Sequence, residues 1–258
     1  MTNLLWARGA YSVAPPPPVC PAAPFDPSTL PLSLWLEGRN CPGAGVDWAS
    51  RASTGTSGNI HTSFQTGGGP QSLAKPLAVA PCGLATAQFL TSPNTVLRIT
   101  DDPSNPVVPA TIVYSGKFIA SGDPGNGPQY VGGIINDYTN RWKVQFTQSG
   151  HAQVYVYTAA GGQIATTLNS VNAGDWYVVT TEFRGSDVRV RLNHGAYAST
   201  ANAWAPNVRG NMYMGFDPIF GAQFDTWLGT LLIANTALSA GDITSLESYC
   251  EWYLGTTV

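Results

Sequence analysis

The chain has 258 residues, of which 28 are glycine and 20 are proline, and only 10% are charged. Its 12 basic and 15 acidic side chains give a formal net charge of −3 without a basic block, which excludes nucleic-acid binding through an electrostatic footprint. No apolar run reaches the ~18 residues that a membrane-spanning helix needs, so we expect no membrane insertion. The length suits one large β domain or two small ones, and the glycine and proline content is typical of short strands joined by turns.

Residues 1–29 differ in composition from the rest of the chain. Four consecutive prolines at 15–18 predict a polyproline II stretch, and Pro21, Pro24 and Pro27 keep the following backbone extended. Because proline has no N–H to donate to a sheet, we predict an extended arm. The arm is either a disordered leader or a strap that docks on a partner subunit through Leu4, Leu5, Trp6 and Tyr11. The N-terminus lacks the features of a signal peptide, so we expect another route of delivery if the protein acts outside a cell.

Short candidate strands recur from Leu30 onward at about ten-residue spacing, each bounded by Gly, Pro, Asn or Asp. They cover residues 32–37, 84–90, 95–100, 110–119, 130–136, 141–147, 152–158, 211–216 and 226–234. The turn-rich region 38–81 separates the first two. Its glycines at 67–69 predict a flexible rim loop, because no Lys-Ser/Thr pair of a phosphate-binding loop follows them.

The clearest hairpin covers residues 176–195. A strand that begins at Trp176 runs to Phe183, and Gly185-Ser186-Asp187 supplies the turn. The return strand alternates apolar with polar residues: Val188, Val190 and Leu192 with Arg189, Arg191 and Asn193. We therefore expect the aliphatic side chains to face a core and the arginines to face water. Asn193-His194-Gly195 predicts a second turn.

One helix is predicted over residues 240–254. Ser239 is its N-cap with Asp242 three residues later, and Gly255 stands where a C-terminal glycine belongs. One apolar stripe is formed by Ile243, Leu246, Cys250 and Tyr253. Glu247 and Glu251 lie beside this stripe, and we expect them on a solvated face.

The candidate metal ligands and thiols have ordinary explanations. The four cysteines, Cys20, Cys41, Cys82 and Cys250, allow three pairings, and we interpret them as buried or free thiols. The three histidines have no partner at metal-ligand spacing. Calcium would require clustered oxygens such as those of Asp101, Asp102 and Asn105, or of Asp123 and Asn126. Both sets also fit Asx turns, which we favour, so we predict no metal or cofactor.

Several of these segments resemble concanavalin A-like (laminin-G-like) jelly-roll modules. The segment DTWLGTLLIANTALSAGDITSLESYCEWYLG is similar to their C-terminal signature, in which two strand segments are followed by a short link and a closing helix. GDWYVVTTEFRGSDVRVRLNHG resembles their central hairpin. LPLSLWLEG and VDWASRASTG resemble the opening strand and its W-x-x-R-S-G loop, here with Ala52 before Ser53. The resemblance covers about residues 30–255. It implies an all-β, antiparallel jelly-roll sandwich over residues 30–258, with one C-terminal helix and the Pro-rich arm 1–29.

Modules with these features are frequent in bacteriophage structural proteins and in bacterial sugar-binding proteins. Our first hypothesis is therefore a non-enzymatic virion structural protein: a capsid-decoration, head-fibre or tail-associated module. It would be assembled in the host cytoplasm and located on the virion surface. There it would form a homo-oligomer, bind capsid or tail subunits and contact host glycans during attachment.

A stand-alone lectin-like carbohydrate-binding protein is the alternative. Sugar binding needs aromatic faces with amide and carboxylate groups on exposed loops, and IINDYTNRW is the densest mixture of this kind. The candidate residues are Tyr130, Asn136, Asp137, Tyr138, Asn140, Trp142 and Trp204. For Tyr138 and Trp142, sandwich core or subunit contact is the competing interpretation.

A divergent glycoside hydrolase is the second alternative. Such enzymes need two carboxylates flanking the sugar bond, about 5–5.5 Å apart in retaining enzymes. The E-x-D-x-x-E signature of hydrolases with this fold is absent, and the glutamates are Glu37, Glu182, Glu247 and Glu251. Glu182 has no carboxylate two residues further on. We therefore expect a protein without a catalytic constellation.

Overall fold

The computed structural model describes residues 21–41, 48, 50–52, 76–78, 84–89, 97–99, 109–119, 131–137, 142–158, 161–201, 212–217, 222–223, 226–255 and 258. These residues form strands and one C-terminal α-helix, with short 3-10 turns at Pro27–Thr29 and Gly38–Asn40. The strands are β1 (Leu32–Glu37), β2 (Pro76–Ala78), β3 (Ala85–Phe89), β4 (Leu97–Ile99), β5 (Ala110–Lys117), β6 (Val131–Asp137), β7 (Trp142–Phe146), β8 (His151–Thr158), β9 (Gly161–Ser170), β10 (Trp176–Phe183), β11 (Asp187–Leu192), β12 (Ala198–Ala201), β13 (Met212–Met214), β14 (Phe216–Asp217), β15 (Ala222–Gln223) and β16 (Thr226–Ala234), and the helix is α1 (Ala240–Leu254).

The strands form two antiparallel sheets. The larger sheet has the order β12-β11-β10-β5-β16-β3-β2, and β1 pairs with the C-terminal half of β16. The smaller sheet has the order β4-β13-β6-β7-β8-β9, and β14 and β15 form a separate ribbon. The pairing of β5 with both β10 and β16 shows that strands distant in sequence lie side by side. The chain is thus an antiparallel β-sandwich with one C-terminal helix.

The core lies between the two sheets, where alternate residues of each strand meet. In β7 of the smaller sheet, Val144 and Phe146 are buried, and in β11 of the larger sheet, Val188 and Val190 are buried. Trp48, from the region predicted as a long loop, is also fully buried in this core. Burying each such side chain contributes ~1.5–3 kcal/mol. The two inner faces therefore supply most of the hydrophobic stabilisation.

Helix α1 covers the outer face of the larger sheet and makes a third layer. The Ser239 hydroxyl oxygen accepts a hydrogen bond from the Asp242 N–H at 3.1 Å, which caps the first turn. Gly255 has a φ of 68°, the left-handed conformation that ends a helix without steric cost for glycine. The predicted stripe, Ile243, Leu246, Cys250 and Tyr253, is buried. The predicted helix is confirmed with the same bounds.

Most predicted strands are confirmed. The strand at 226–234 has the predicted bounds, and the others after residue 84 end within two residues of their predicted ends, with 211–216 divided into β13 and β14. The second turn of the hairpin is also confirmed, since Asn193 and His194 have φ values of 49° and 56°, as in a type I′ turn. Strands β2, β9, β12 and β15 were not predicted, and β2 lies within the supposed loop region 38–81.

The last part of the predicted arm lies on its own domain. Phe25 and Leu30 pack against the apolar cluster under α1. The Trp252 indole N–H donates a hydrogen bond to the Pro21 carbonyl oxygen at 2.8 Å. Residues 21–30 therefore run along the helix layer. The anchor residues Leu4, Leu5, Trp6 and Tyr11 lie outside the described residues, and the docking strap stays a prediction.

Candidate functional site

Where α1 packs on it, the outer face of the larger sheet is closed by the helix and by buried ion pairs. Glu247 on the helix is 1% exposed and accepts hydrogen bonds from Arg191 Nε at 2.7 Å, Arg191 Nη2 at 2.6 Å and Thr180 Oγ1 at 2.5 Å. His194 Nδ1 lies 3.0 Å from the same carboxylate. The expectations that Glu247 lies on a solvated face and that Arg191 faces water are wrong, because the helix packs over β10 and β11.

Glu37 and Glu182 are held in a similar way. Glu37 accepts hydrogen bonds from Arg39 Nε and Arg51 Nη1, both at 2.7 Å. Arg189 donates to Glu182 from Nε at 3.0 Å and from Nη2 at 2.8 Å, so this arginine also lies against a partner instead of facing water. Both carboxylates are almost inaccessible to solvent. Their role in the described part of the molecule is to neutralise guanidinium groups.

Two helix tyrosines complete this polar layer. The Tyr249 hydroxyl donates to Glu37, and the Tyr253 hydroxyl accepts a hydrogen bond from the Arg39 N–H at 2.7 Å. Burial raises the pKa of both hydroxyls above the ordinary tyrosine range, and for Tyr249 the bond to Glu37 raises it further. Both groups therefore stay neutral, and they tie the helix to the end of β1 and the 3-10 turn that follows it.

The outer face of the smaller sheet is partly exposed at β8 and β9 and carries aromatic side chains. In β8, Ala152, Val154 and Val156 are buried in the core, whereas Tyr155 and Tyr157 are on the opposite face and half-buried. The centroids of the two tyrosine rings are 4.3 Å apart, with 53° between the ring planes. Adjacent rings of this kind offer a continuous apolar surface whose hydroxyls still reach water.

The ring of Tyr155 reaches over Gly162 of the neighbouring strand β9, where the absence of a side chain leaves room for it. A Cβ atom at Gly162 would lie 1.9 Å from the Tyr155 hydroxyl oxygen and 2.5 Å from the ring carbon that bears it. On the other side, Lys143 Nζ of β7 lies 5.7 Å from the centroid of the same ring. The ring therefore has a defined position between β7 and β9.

A chain of hydrogen bonds crosses the same face beside the rings. Gln145 Nε2 donates to Gln153 Oε1 at 3.0 Å, and Gln153 Nε2 donates to Thr166 Oγ1 at 2.9 Å. These bonds fix the orientation of both amides across three strands. We call the surface formed by Lys143, Gln145, Gln153, Tyr155, Tyr157 and Thr166 the tyrosine face.

Trp142, one of the predicted ligand-binding residues, belongs to the core. It begins β7, is 0% exposed and lies 5.1 Å from Phe183 between ring centroids. Its assignment to an exposed binding loop is therefore wrong, because the inward set of β7 residues starts with this position. The competing interpretation of Trp142 as sandwich core is correct.

The structure describes only some of the other predicted ligand-binding residues. Asn136 and Asp137 lie at the end of β6, where Asn136 is in register with Lys143 and Asp137 with Trp142. Asn136 is thus one strand away from the tyrosine face by register. Tyr130, Tyr138, Asn140 and Trp204 lie outside the described residues, as do the calcium candidates Asp101, Asp102, Asn105, Asp123 and Asn126.

Sequence reasoning did not select Tyr155 and Tyr157. The signal was present in HAQVYVYT, where Gln153, Tyr155 and Tyr157 alternate with Ala152, Val154 and Val156. A period of two assigns both tyrosines and the glutamine to the non-core face.

Of the cysteines, Cys41 and Cys250 lie in the described part, and both are thiols outside any disulfide, as expected. Burial raises the pKa of each to about 12. Among the residues with described positions, no group of three His, Cys, Asp or Glu side chains is placed to hold a metal ion. Within the same residues, no helix has both the length and the apolar composition needed to cross a bilayer.

No protein-family model matches the chain, and no curated protein matches it. Solved structures do. Domain 4 of AbnA, a GH43 extracellular arabinanase from Geobacillus stearothermophilus solved in complex with arabinotriose, aligns with a TM-score of 0.58 at 14% identity, over 83% of this chain and 97% of that domain. The binding domain of botulinum neurotoxin serotype D/C VPI 5993 aligns with a TM-score of 0.54 at 11% identity, over 85% of this chain. The receptor-binding domain of botulinum neurotoxin type G gives 0.50 at 12% identity, over 67% of this chain.

The chain spans about half the length of the two toxin domains, 52% and 45%, and almost all of the arabinanase domain. At these identities the likeness shows the fold. The fold is the antiparallel β-sandwich found in these binding domains, here with the C-terminal helix α1 on its larger sheet.

Proposed function

We propose that the chain is a carbohydrate-binding protein that holds a sugar chain on the tyrosine face. The observation that carries this proposal is the pair of half-buried rings at Tyr155 and Tyr157, 4.3 Å apart on the outer face of the smaller sheet beside hydrogen-bonded amides. The likeness to an arabinanase domain solved with arabinotriose supports it. The findings favour the lectin-like alternative of the sequence analysis over its virion hypothesis.

The chemistry of the face suits a sugar. One side of a sugar ring presents C–H groups, which pack on an aromatic ring, and its edge presents hydroxyls, which need hydrogen-bonding partners. Gln153 and Thr166 can donate to and accept from such hydroxyls. Because their mutual hydrogen bonds and the sheet already fix these groups, little conformational entropy is lost on binding.

The face suits a neutral sugar chain. Among the described residues beside the rings, the partly exposed polar groups are the Gln153 amide and the Thr166 hydroxyl, next to the exposed Ile164 side chain, while Lys143 is almost fully buried beside Tyr155. An open sheet face, as opposed to a closed pocket, also accommodates an internal segment of a linear chain.

We infer that the protein binds a sugar chain without cleaving its bonds. Glu37, Glu182 and Glu247 are each paired with arginine on the opposite side of the sandwich from the tyrosine face. A location on a virion surface, contact with capsid or tail subunits, and a homo-oligomeric state stay predictions.

The experiment is affinity electrophoresis of the purified chain through gels that contain neutral polysaccharides, including arabinan. We expect at least one polysaccharide to retard the wild-type chain. Tyr155→Ala and Tyr157→Ala should each weaken that binding about tenfold, equivalent to about 1.4 kcal/mol. Tyr155→Phe, which keeps the ring, should retain most of it.

Trp252→Leu is the matched control, because it removes a half-buried aromatic ring from α1 on the other side of the sandwich. It should bind as the wild type does. Absence of binding to every polysaccharide, or unchanged binding by both tyrosine-to-alanine variants, would contradict the proposal.

A further inference from the structure

We propose a second ligand site, for an acidic saccharide, on the outer face of the larger sheet. Its centre is a row of three side chains on adjacent strands, Trp176 of β10, Lys117 of β5 and Trp227 of β16. Lys117 is in register with both tryptophans. We call this row the tryptophan rung.

The rung places one cation between two aromatic rings. Lys117 Nζ lies 5.4 Å from the ring centroid of Trp176 and 5.0 Å from that of Trp227, and the two ring centroids are 6.1 Å apart. All three side chains are half-buried, so part of each remains open to solvent. Residues further along the same strands, Val113 and Val178, pack in the apolar cluster under α1.

Lys117 differs in electrostatics from the arginines of the same sheet face. Arg39 and Arg51 pair with Glu37, while Arg189 and Arg191 pair with Glu182 and Glu247. Across the described positions, no carboxylate is paired with Lys117. A cation–π contact attracts an ammonium but does not neutralise its charge or occupy all of its N–H donors.

A positive charge flanked by aromatic faces specifies the ligand class. An anionic group can accept hydrogen bonds from the ammonium, and charge-assisted bonds of this kind are the stronger ones. The flat C–H side of a ring can pack on an indole at the same time. A sugar with a carboxylate on its ring, as in a uronic acid, provides both groups, whereas a simple anion or a neutral sugar provides one.

This site is independent of the tyrosine face. The rung is on the larger sheet and the tyrosine face is on the outer side of the smaller sheet, with the core between them. One short oligosaccharide cannot occupy both. The two sites are therefore separable by ligand charge and by mutation.

The test is a tryptophan-fluorescence titration with trigalacturonate, using galactotriose as the neutral control. Because both indoles are at the site, trigalacturonate should give a saturable change in emission. We expect the wild type to bind galactotriose about tenfold more weakly than trigalacturonate. The Lys117→Gln variant should bind trigalacturonate about tenfold more weakly than the wild type does, because each change removes the charge-assisted contact. Lys117→Arg should restore affinity to within about threefold of the wild type, and higher salt should weaken binding.

Two control variants show whether the binding is specific to the tryptophan rung. Arg184→Gln removes a cation that is 47% exposed and far less well paired, at 3.9 Å from Asp187, and should leave the titration unchanged. Tyr155→Ala should also leave it unchanged. Equal losses in Lys117→Gln and Arg184→Gln would mean non-specific ionic binding and overturn the proposal. So would loss in Tyr155→Ala, which would assign the ligand to the tyrosine face, or the absence of a saturable change in the wild type.

Discussion

The two sheets of this sandwich follow the same alternation but have different outer faces. On the larger sheet, the outward residues of β10 and β11 lie beneath α1, where buried glutamates hold Arg189 and Arg191. On the smaller sheet, the outward residues Gln153, Tyr155 and Tyr157 of β8 are half-buried and form the partly exposed centre of the tyrosine face, beside the buried Lys143 and Gln145 of β7. Polar outward residues can therefore be structural where the helix covers them, and binding chemistry is better sought where outward side chains stay partly exposed, as on the tyrosine face and at the tryptophan rung.

Among the changes that test this comparison, the replacement of Glu247 by leucine should have the largest effect on stability. The change leaves Arg191 buried without its carboxylate, and the free energy of unfolding should fall by ~3–5 kcal/mol. Urea denaturation at pH 7 measures it. Arg184→Gln breaks an exposed pair and should change stability by no more than about 0.5 kcal/mol. Similar costs for the two variants would mean that the closed face does not depend on its buried pairs.

A pH series tests whether water reaches the buried layer between α1 and the larger sheet. Burial raises the pKa of the Cys250 thiol from its ordinary 9.0 to about 12. As the pH rises above 9, the unfolded chain releases this proton while the folded chain keeps it, so the contribution is complete below pH 9 and is lost between 9 and about 12. One such group lowers the unfolding free energy by ~1.4 kcal/mol per pH unit.

Between pH 9 and 10.5, the unfolding free energy of Cys250→Ala should therefore fall less steeply than that of the wild type, by about 1.4 kcal/mol per pH unit. Urea midpoints across this range compare the two slopes. The tyrosines with raised pKa contribute equally to both proteins and cancel. Parallel slopes would show that solvent reaches the thiol in the folded state.

The tyrosine face should contribute less to stability than the core between the sheets. Tyr155→Ala and Tyr157→Ala remove half-exposed rings and should each cost about 1 kcal/mol, whereas Trp142→Ala empties a fully buried core position and should cost ~3–5 kcal/mol. Thermal or urea unfolding of the three variants gives the ranking. A tyrosine variant as unstable as Trp142→Ala would assign the rings to the core.

The smallest change is the addition of one methyl group at Gly162. In Gly162→Ala, the new Cβ displaces the end of the Tyr155 ring, so polysaccharide binding should weaken while stability changes by less than about 1 kcal/mol. In a Tyr155→Ala background the same substitution should have no further effect on binding, because the displaced ring is absent. An equal effect in both backgrounds would contradict the described position of the ring.

The elements that sequence analysis predicted best are those specified by neighbouring residues. The helix has its cap at Ser239, its stripe and its stop at Gly255 within one segment. The turn at Asn193 and His194 likewise depends on local backbone chemistry, and Asn193 Oδ1 accepts a hydrogen bond from the Val178 N–H at 2.9 Å. Signals of this kind need no knowledge of the partner strand.

The errors concern tertiary placement. Glu247 lies beside an apolar stripe as a solvated residue would, and only the packing of α1 over Arg191 buries it. Trp142 follows a polar turn-like segment, yet its position in β7 directs it into the core. Strand β9 was missed because Gly161-Gly162 is typical of a turn and because its pairing with β8 is irregular between His151 and Gln153.

The tyrosine face could be predicted in part. The alternation in β8 separates Tyr155 and Tyr157 from the core set, so their shared face follows from sequence. That this face stays open depends on which sheet the C-terminal helix covers, and no local pattern specifies that choice.

The most direct test of the central claim is hydroxyl-radical footprinting of the chain, with and without the neutral polysaccharide that binds most tightly. Bound polysaccharide should lower the oxidation of Tyr155 and Tyr157 and leave that of Trp252, on the opposite side of the sandwich, unchanged. Unchanged oxidation of both tyrosines, with protection confined to other segments, would contradict that claim.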